Sequence, residues 1–481
     1  MTRSLRNGWM LACVTVASAC ALAPPPKTAD YRGDALPALQ VPGAWTGGEV
    51  SGAVATSWLA SFGDARLEGL VKEALAHNPD LRVAAARVQV AAEYAELADS
   101  TLWPQVNLLA RGGGEMSGDS SGLQGVGLFA DWELDLWGRV RSAKAAQYEA
   151  YAAAVADGEY ARQSVAAMTA KAYFLAVEAG LQQRLADEML GAATQLVDLS
   201  EQRERVGKGD GYDSALARAN VESFRDTVEQ LRLAREQALR ALEALVGRYP
   251  AATLDVASGL TAVPGPVPAG LPSELLERRP DVVAAERRVA AAFRRQQEAK
   301  AARLPRISLT ASVNDISSDL FVLKNRDDPV WSAGASLMAP IFSGGALRQQ
   351  VRIRTAEQRQ AVAEYGQVGA RAFGDVENAL SAEFAAKRRE AVLARAVNEN
   401  LRAADLAQVR YRVGSADLRG VQQQQLTVYG SRASLLRVQT EQLVQRVNVY
   451  LALGGGFDSG ESAGKTASSS TRQDAAESRG P

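Results

Sequence analysis

The chain repeats itself, and this constrains its fold more than any other feature. Asn78-Pro79-Asp80-Leu81 opens an Ala/Arg/Val-rich stretch and so does Arg279-Pro280-Asp281-Val282, with Pro79 and Pro280 201 positions apart. Pro104, in Leu102-Trp103-Pro104-Gln105-Val106-Asn107-Leu108, and Pro305, in Leu304-Pro305-Arg306-Ile307-Ser308-Leu309, stand in the same 201-residue register. Between the prolines, Arg87/Arg288, Val88/Val289 and Ala98/Ala299 keep that register too. Later, Arg205-Val206-Gly207 answers Arg412-Val413-Gly414, and Leu245-Val246-Gly247 answers Ala452-Leu453-Gly454, each 207 apart. The chain is therefore two copies of one unit of about 200 residues.

Each copy has the same order of elements. A proline in the first turn followed by Asp suits a helix start, because the missing N–H is not needed there. After Pro104 and Pro305 the apolar period switches from helical to two. Val106, Leu108 and Ala110 alternate with Gln105, Asn107 and Arg111, and Ile307, Leu309, Ala311 and Val313 alternate with Arg306, Ser308, Thr310, Ser312 and Asn314. A second strand follows in each copy. Val126, Leu128, Ala130, Trp132 and Leu134 alternate with Gly125, Gly127, Asp131, Glu133 and Asp135, and Trp331, Ala333, Ala335, Leu337 and Ala339 with Ser332, Gly334 and Ser336. Loops rich in Gly, Ser, Asn and Asp join each pair, as antiparallel hairpins require. No proline then occurs from Gln105 to Tyr249, or from Ile341 to Gly480. Val140–Val206 and Ala346–Val413 can each run as one helix, on the order of 100 Å long. Ala, Gln, Arg, Glu and Leu dominate them, which suits coiled-coil packing. Each long helix ends at a Val-Gly turn and returns as a second one, Tyr212–Val246 and Leu418–Leu453.

Composition removes several classes of function. A net charge of −1 leaves no basic excess for a nucleic-acid partner. One His, two Cys and six Met provide little for a soft-metal site or for His-dependent catalysis, so no metal, cofactor or catalytic residue is assigned. His77, beside Asn78-Pro79, reads as a helix-end surface residue. Asp131, Glu133 and Asp135 fall on one strand face and read as polar lining rather than as an acid–base pair.

The first residues read as an export signal: Arg3 and Arg6, a short apolar run from Trp9 to Ala17, then Ala17-Ser18-Ala19 before Cys20. The apolar run is too short to span a bilayer, which needs about 20 residues. Ordinary cleavage after Ala19 is one outcome. Lipid attachment at Cys20 is the other, implied by the resemblance of Val16–Cys20 to a bacterial lipoprotein signal, and it accounts for a lone mature cysteine in an oxidising compartment. The organisation expected is a signal at 1–19, an anchored tether without helix or strand at 20–56, a first copy at 57–250, a Pro/Gly/Val linker at 251–272, a second copy at 273–454, and a disordered tail at 455–481.

Strands of about ten residues with one apolar face match membrane-spanning strands, though a water-soluble sandwich edge alternates similarly. Long helices alone would suit a structural rod. If the strands do span a membrane, four per chain cannot close a barrel and open edges are not tolerated in lipid, so several chains must pool them. Three chains supply twelve strands around a water-filled lumen, which Gly127, Ser308, Ser332 and Ser336 leave room for.

The sequence resembles the TolC-like outer-membrane factors, in the lipoprotein branch (NodT/OprM-like) that serves RND-type efflux pumps. Val16–Cys20, the two Pro-Asp helix starts and Asp131-Trp132-Glu133-Leu134-Asp135-Leu136-Trp137-Gly138-Arg139 carry the likeness. So do Pro340-Ile341-Phe342-Ser343-Gly344-Gly345, Ala372-Phe373-Gly374-Asp375-Val376-Glu377-Asn378-Ala379-Leu380 and Arg410-Tyr411-Arg412-Val413-Gly414. The resemblance covers residues 20 to about 454. It implies a mixed fold: a twelve-stranded outer-membrane barrel shared by a homotrimer, four strands per chain, continued by an α-helical coiled-coil periplasmic tunnel. It implies a passive exit duct working with a periplasmic adaptor and an inner-membrane RND pump. The Val-Gly turns become the periplasmic tip, with Val206, Gly207, Asp210, Val413, Gly414 and Asp417 as adaptor-docking candidates. Where the family commonly carries an acid one turn before a base, this chain has Gln423 and Leu426. Arg410, Tyr411 and Gln423 are the constriction candidates, with a gate sealed by Gln and Tyr hydrogen bonds and packing. An outer-membrane duct for protein secretion and a lipid-anchored periplasmic scaffold are the alternative functions.

Overall fold

The computed structural model describes residues 24–47, 57–111, 124–270, 272–317 and 330–456. The export signal with Cys20, residues 48–56 of the expected tether, both hairpin loops and the tail from 457 lie outside the described residues. The elements alternate as the duplication requires. In the first copy, α1 (Thr28–Ala35) and α2 (Ala65–His77) precede α3 (Pro79–Ser100), β1 (Gln105–Arg111), β2 (Gln124–Leu134), α4 (Arg139–Arg205) and α5 (Gly211–Val246). The second copy runs α6 (Pro280–Ala301), β3 (Arg306–Ser317), β4 (Val330–Met338), α7 (Ala346–Arg412) and α8 (Leu418–Ala452). Both long helices, α4 and α7, have 67 residues. Among the described residues no helix is long and apolar enough to cross a membrane.

Local chemistry sets the boundaries. Asp64 caps α2 by accepting from the N–H groups of Arg66 and Leu67 at 2.9 and 3.2 Å, and the spacing of Leu67, Leu70, Val71 and Ala74 buries one helix stripe. Asn78 Oδ1 accepts from Asp80 N at 2.9 Å ahead of Pro79. Its counterpart 201 residues on is Arg279, and both also bond the returning helix of their own copy. Asn78 Nδ2 donates to Leu245 O at 2.8 Å and Arg279 Nη1 to Ala452 O at 3.2 Å, two carbonyls that are 207 apart.

The chain divides into two compact units. One contains Ala86–Asp157 and Asp281–Val368 with the N-terminal segment through Leu39. It holds a single four-stranded antiparallel sheet in the order β1-β2-β3-β4, so the two hairpins merge through β2 and β3. The register runs Gln105↔Asp131 to Arg111↔Gly125, Gln124↔Ser317 to Leu134↔Ile307, and Arg306↔Met338 to Asn314↔Val330. Helix α6 lies beside α4, with Arg287 paired to Glu149 at 3.3 Å and Arg288 paired to Asp157.

The other unit contains Gln40–Ala85, Gly158–Pro280 and Gly369 onward. Its core gathers Trp58 stacked on Tyr450 at 5.5 Å, Phe62 against Phe174 at 5.3 Å, and Tyr173, whose hydroxyl donates to Asp64 Oδ2 at 2.6 Å. Burial pushes the Tyr173 phenol well up, and the Asp64 carboxylate adds to the effect. On α4, Ala166, Ala170, Tyr173 and Val177 are buried three and four residues apart, the spacing of a packed helical seam. The segment after α5 is fixed by Glu243, whose carboxylate accepts from the N–H groups of Ala252, Thr253 and Leu254 at 2.7, 2.8 and 3.0 Å.

The expectation of an unstructured tether is corrected for residues 24–47. Helix α1 forms there, with Lys27 N donating to Asp30 Oδ2 at 2.8 Å. In the first unit Tyr31 is buried edge-on against Tyr365 at 5.4 Å. In the second, Trp45 is buried and donates to Ala269 O at 3.2 Å, and Glu377 accepts from the N–H groups of Thr46 and Gly47 at 3.0 and 2.7 Å. Prolines and scattered glycines hid this segment because its order comes from isolated aromatic anchors, which leave no periodicity.

Candidate functional site

In the first unit, register decides what the sheet presents. Cross-strand partners align Val106, Ala130, Ala311 and Ala333, and in the next row Leu108, Leu128, Val313 and Trp331. One face is therefore apolar across all four strands, because a side-chain period of two stays in phase through odd and even partners. The opposite face carries Gln105, Asn107, Gly127, Asp131, Ser308, Thr310, Ser312, Ser332, Gly334 and Ser336, and Ser312 and Ser332 share a hydrogen bond of 2.6 Å across it. The apolar face is bare within the chain: Val106 is 66% exposed, Leu108 68%, Trp331 76% and Leu337 69%. β1 and β4 each keep one unpaired edge. An apolar face without cover and two open edges together call for lipid on the face and another chain at each edge.

The strand-to-helix junction of the first copy departs from the sequence reading. Glu133 pairs with Arg139 at 2.7 Å and Asp135 with Arg141 at 3.2 Å, and Trp137 Nε1 donates to Pro305 O at 2.7 Å. The row of acids is thus corrected: Glu133 and Asp135 tie β2 to the first turn of α4, and of the three only Asp131 is exposed. Donating to the Glu133 carboxylate raises the Arg139 pKa further.

In the second unit, both Val-Gly turns close in the same way. Gly207 and Gly414 sit at φ +71° and +82°, a left-handed conformation that glycine adopts without strain. Lys208 N returns to Arg203 O at 2.8 Å and Ser415 N to Arg410 O at 2.9 Å, satisfying carbonyls that the helix ends leave free. Asp210 and Asp417 cap the returning helices, accepting from Asp213 N at 3.0 Å and Gly420 N at 2.9 Å. Val206 and Val413 are 67% and 74% exposed. Arg203 joins the two turns: its guanidinium donates to Lys208 O at 3.0 Å and to Tyr411 O, and lies 4.5 Å from the centre of the Tyr411 ring. All six docking candidates therefore fall on this one pair of turns.

The constriction candidates divide. Arg410 and Gln423 are exposed, whereas Tyr411 is 1% exposed and packs with Leu196, Ala217, Leu418 and Val421. Of the expected Gln–Tyr seal, the chain by itself shows packing at Tyr411. Among the described residues no hydrogen bond joins Gln423 to Tyr411, whose ring is an internal support for the turn. Burial pushes the Tyr411 phenol up, and the charge of Asp213 adds to it. Asp213 is itself pushed up, first by burial and then by Asp210 and Asp417. Sequence reasoning missed Arg203 and Asp213. The signal available was the 207-residue offset that relates Arg203 to Arg410 and Asp210 to Asp417. Among the described residues no group of three or more His, Cys, Asp or Glu side chains is arranged to hold a metal ion.

The chain matches the family described as "Outer membrane efflux protein" over residues 70–248 and 271–455. It is similar to the cation efflux system protein CusC of Escherichia coli O6:H1, 30% identical over 92% of this chain and 98% of that protein. The pyoverdine export outer membrane protein OpmQ of Pseudomonas aeruginosa is 29% identical over 95% and 98%, and the outer membrane protein OprJ of the same species 31% over 89% and 92%. Among solved structures, the outer-membrane channel OprN superposes with a TM-score of 0.79 at 28% identity, covering 88% of this chain and 99% of that one. The CusC structure, described in terms of folding and transmembrane channel formation, gives 0.79 at 28% identity over 91% and 100%.

Proposed function

The chain belongs to the outer membrane efflux protein family, and on that premise we propose that it is the outer-membrane channel subunit of a tripartite efflux pump. Three copies pool their sheets into a twelve-stranded barrel in the outer membrane, and their long helices form a tunnel in the periplasm. The observation that carries this reading is the sheet: an exposed face that is apolar through its central rows, a mostly polar opposite face, and one open edge on each side. Lipid covers the apolar face, the next copy's strand pairs each edge, and the polar face lines water. Solutes pass without covalent chemistry, driven by a pump in the inner membrane.

The turns at Val206, Gly207, Asp210, Val413, Gly414 and Asp417 dock a periplasmic adaptor that connects to an RND-type pump. Their exposed valines offer apolar contact, and three nearby aspartates, Asp210, Asp213 and Asp417, offer an acidic rim. Arg410 and Gln423 narrow the tunnel above these turns, with Tyr411 supporting them from inside the chain. Acylation at Cys20 supplies a lipid anchor, and residues 57–250 and 273–454 act as the two halves of one duct. Relatives whose names carry cations and pyoverdine are similar to this chain to nearly the same degree. Cargo choice therefore belongs to pump and adaptor, and the duct accepts small molecules broadly.

The test is native mass spectrometry of the detergent-extracted protein followed by single-channel recording in planar bilayers. A conducting trimer is the expected result. A monomer that gives no conductance would overturn the reading and favour a lipid-anchored scaffold.

A further inference from the structure

Phe129 stands on the face of the sheet where alternation calls for polar groups. It shares its parity on β2 with Gly127 and Asp131, and its cross-strand partners are Asn107 and Ser312, with Ser332 next in the same row. The ring is half-buried, and among the described residues no other aromatic ring meets it. Leu109, 50% exposed, is its diagonal neighbour on that face, and Gly127, which pairs with Leu109, has no side chain to separate the two. Diagonal neighbours in a sheet lie about 7–8 Å apart, within reach of an aromatic side chain.

Asp131 follows on the same face, about 7 Å further along the strand. Its row partners are the neutral Gln105 and Thr310. Glu133 and Asp135 are engaged by Arg139 and Arg141, whereas the exposed Asp131 carboxylate has no ion-pair partner among the described residues. The second copy lacks this combination. Gln105↔Asp131 and Arg306↔Met338 are equivalent pairs, so the offset of 207 that relates Asp131 to Met338 relates Phe129 to Ser336.

We propose that Phe129 and Asp131 form a transit subsite for aromatic organic cations on the polar face of the barrel. The proposal rests on the channel reading above and adds a solute class and the place in the duct where that class dwells. The negative face of the Phe129 ring attracts a cation, and the Asp131 carboxylate attracts the same charge from the next row. Leu109 offers apolar surface to the planar part of the solute, and Asn107, Ser312 and Ser332 surround it with neutral hydrogen-bonding groups. A carboxylate alone draws any cation and a ring alone draws any apolar solute. The two together favour a molecule that has both features.

Three subunits set three such subsites at one height. Twelve strands about 4.8 Å apart and tilted by about 40° enclose about 24 Å between backbones, so three rings narrow the lumen without closing it. A weak site suits a duct, because a solute has to leave as readily as it enters.

The experiment records single channels of the full-length protein in planar bilayers. The probes are 9-aminoacridine, a planar aromatic cation, and naphthalene-2-sulfonate, a planar aromatic anion. The expected result is brief, partial reductions of current with 9-aminoacridine and none with the sulfonate. Phe129→Leu keeps apolar bulk but removes the ring, and Asp131→Asn keeps shape but removes the charge. Each should raise the 9-aminoacridine concentration for half-maximal block about three- to tenfold, whereas Phe129→Trp should lower it, because indole is the better partner for a cation. Should Phe129→Leu fail to assemble, Phe129→Trp and Asp131→Asn decide the matter. Block equal to wild type in either Phe129→Leu or Asp131→Asn overturns the subsite and leaves the channel reading standing. So does a conducting wild type that 9-aminoacridine does not interrupt, or that both compounds interrupt equally. A wild-type protein that gives no conductance overturns the channel reading and the subsite with it.

Discussion

Replacing Glu243 by Gln should loosen the segment that joins the two halves without unfolding either. Glu243 is 2% exposed, and its two oxygens accept three backbone N–H groups, from Ala252 at Oε2 and from Thr253 and Leu254 at Oε1. These bonds hold Ala252 at φ +59°, a left-handed conformation that costs a residue with a Cβ about 1–2 kcal/mol. Gln keeps one carbonyl oxygen for Thr253 and Leu254, now uncharged, but turns an NH2 group toward the Ala252 N–H. One charge-assisted bond is lost, two are weakened, and a buried donor is left without an acceptor, for a cost of about 2–4 kcal/mol. If the loss appears as local opening, amide exchange at Ala252, Thr253 and Leu254 should accelerate about 30- to 900-fold while amides in the core of α5 keep their protection. Acid should produce the same loosening in the wild type. Burial alone would raise the carboxyl, but the backbone N–H groups outweigh it and hold the folded pKa below the ordinary 4.5. A lowered pKa means that the stabilisation is complete above the ordinary value and is lost as the pH falls through the folded one. Unchanged exchange at these three amides in Glu243→Gln would refute the reasoning, because the carboxylate would then not be what orders the segment.

Three further outcomes are expected. Arg279→Met should destabilise the protein by about 2–4 kcal/mol, since it strands the Ala452 carbonyl, while Asp375→Asn should cost less than about 1 kcal/mol. Arg279 is 2% exposed and Asp375 44%, so equal shifts in thermal denaturation would show that the ion pair, not the carbonyl bond, carries the effect. Gly207→Ala should cost about 1–2 kcal/mol from backbone strain alone, because open space surrounds the position, and it should weaken adaptor capture while native mass spectrometry still shows the trimer. A trimer that binds adaptor as the wild type does would remove this turn from the docking surface. The raised pKa of Asp213 makes its charge unfavourable in the folded turn, so the turn gains stability as the pH falls through that raised value. Single-channel conductance should accordingly drop on acidification from neutrality in the wild type and stay flat in Asp213→Asn; a parallel drop in both would exclude Asp213 as its source.

Much of the architecture was legible in the residues alone. The prolines at 79, 104, 280 and 305 mark where helices and strands begin, because a missing N–H and a fixed φ act locally. Alternation in β1 to β4 identified the apolar face correctly, since side-chain direction in a strand depends only on parity. The absence of proline through α4 and α7, and the glycines at 207 and 414, fixed where the long helices run and turn. These are short-range rules, and periodicity reports them directly.

Other features required contacts between residues far apart in the chain. Nothing near Tyr411 distinguishes a lumen-facing ring from one buried under Arg203, because its neighbours Leu196, Ala217 and Leu418 arrive from other helices. Glu133 and Asp135 alternate like lining residues, yet the turn into α4 brings Arg139 and Arg141 onto them. The segment around Tyr31 and Trp45 has no pattern of its own and is ordered by Tyr365 and by the Ala269 carbonyl, more than 200 residues away. The duplicated sequence also implied equivalent halves, whereas α6 buries nine residues and α3 only Ala95. Local sequence determines which way each side chain points; what it meets there is decided by the elements that pack around it, including those of another copy.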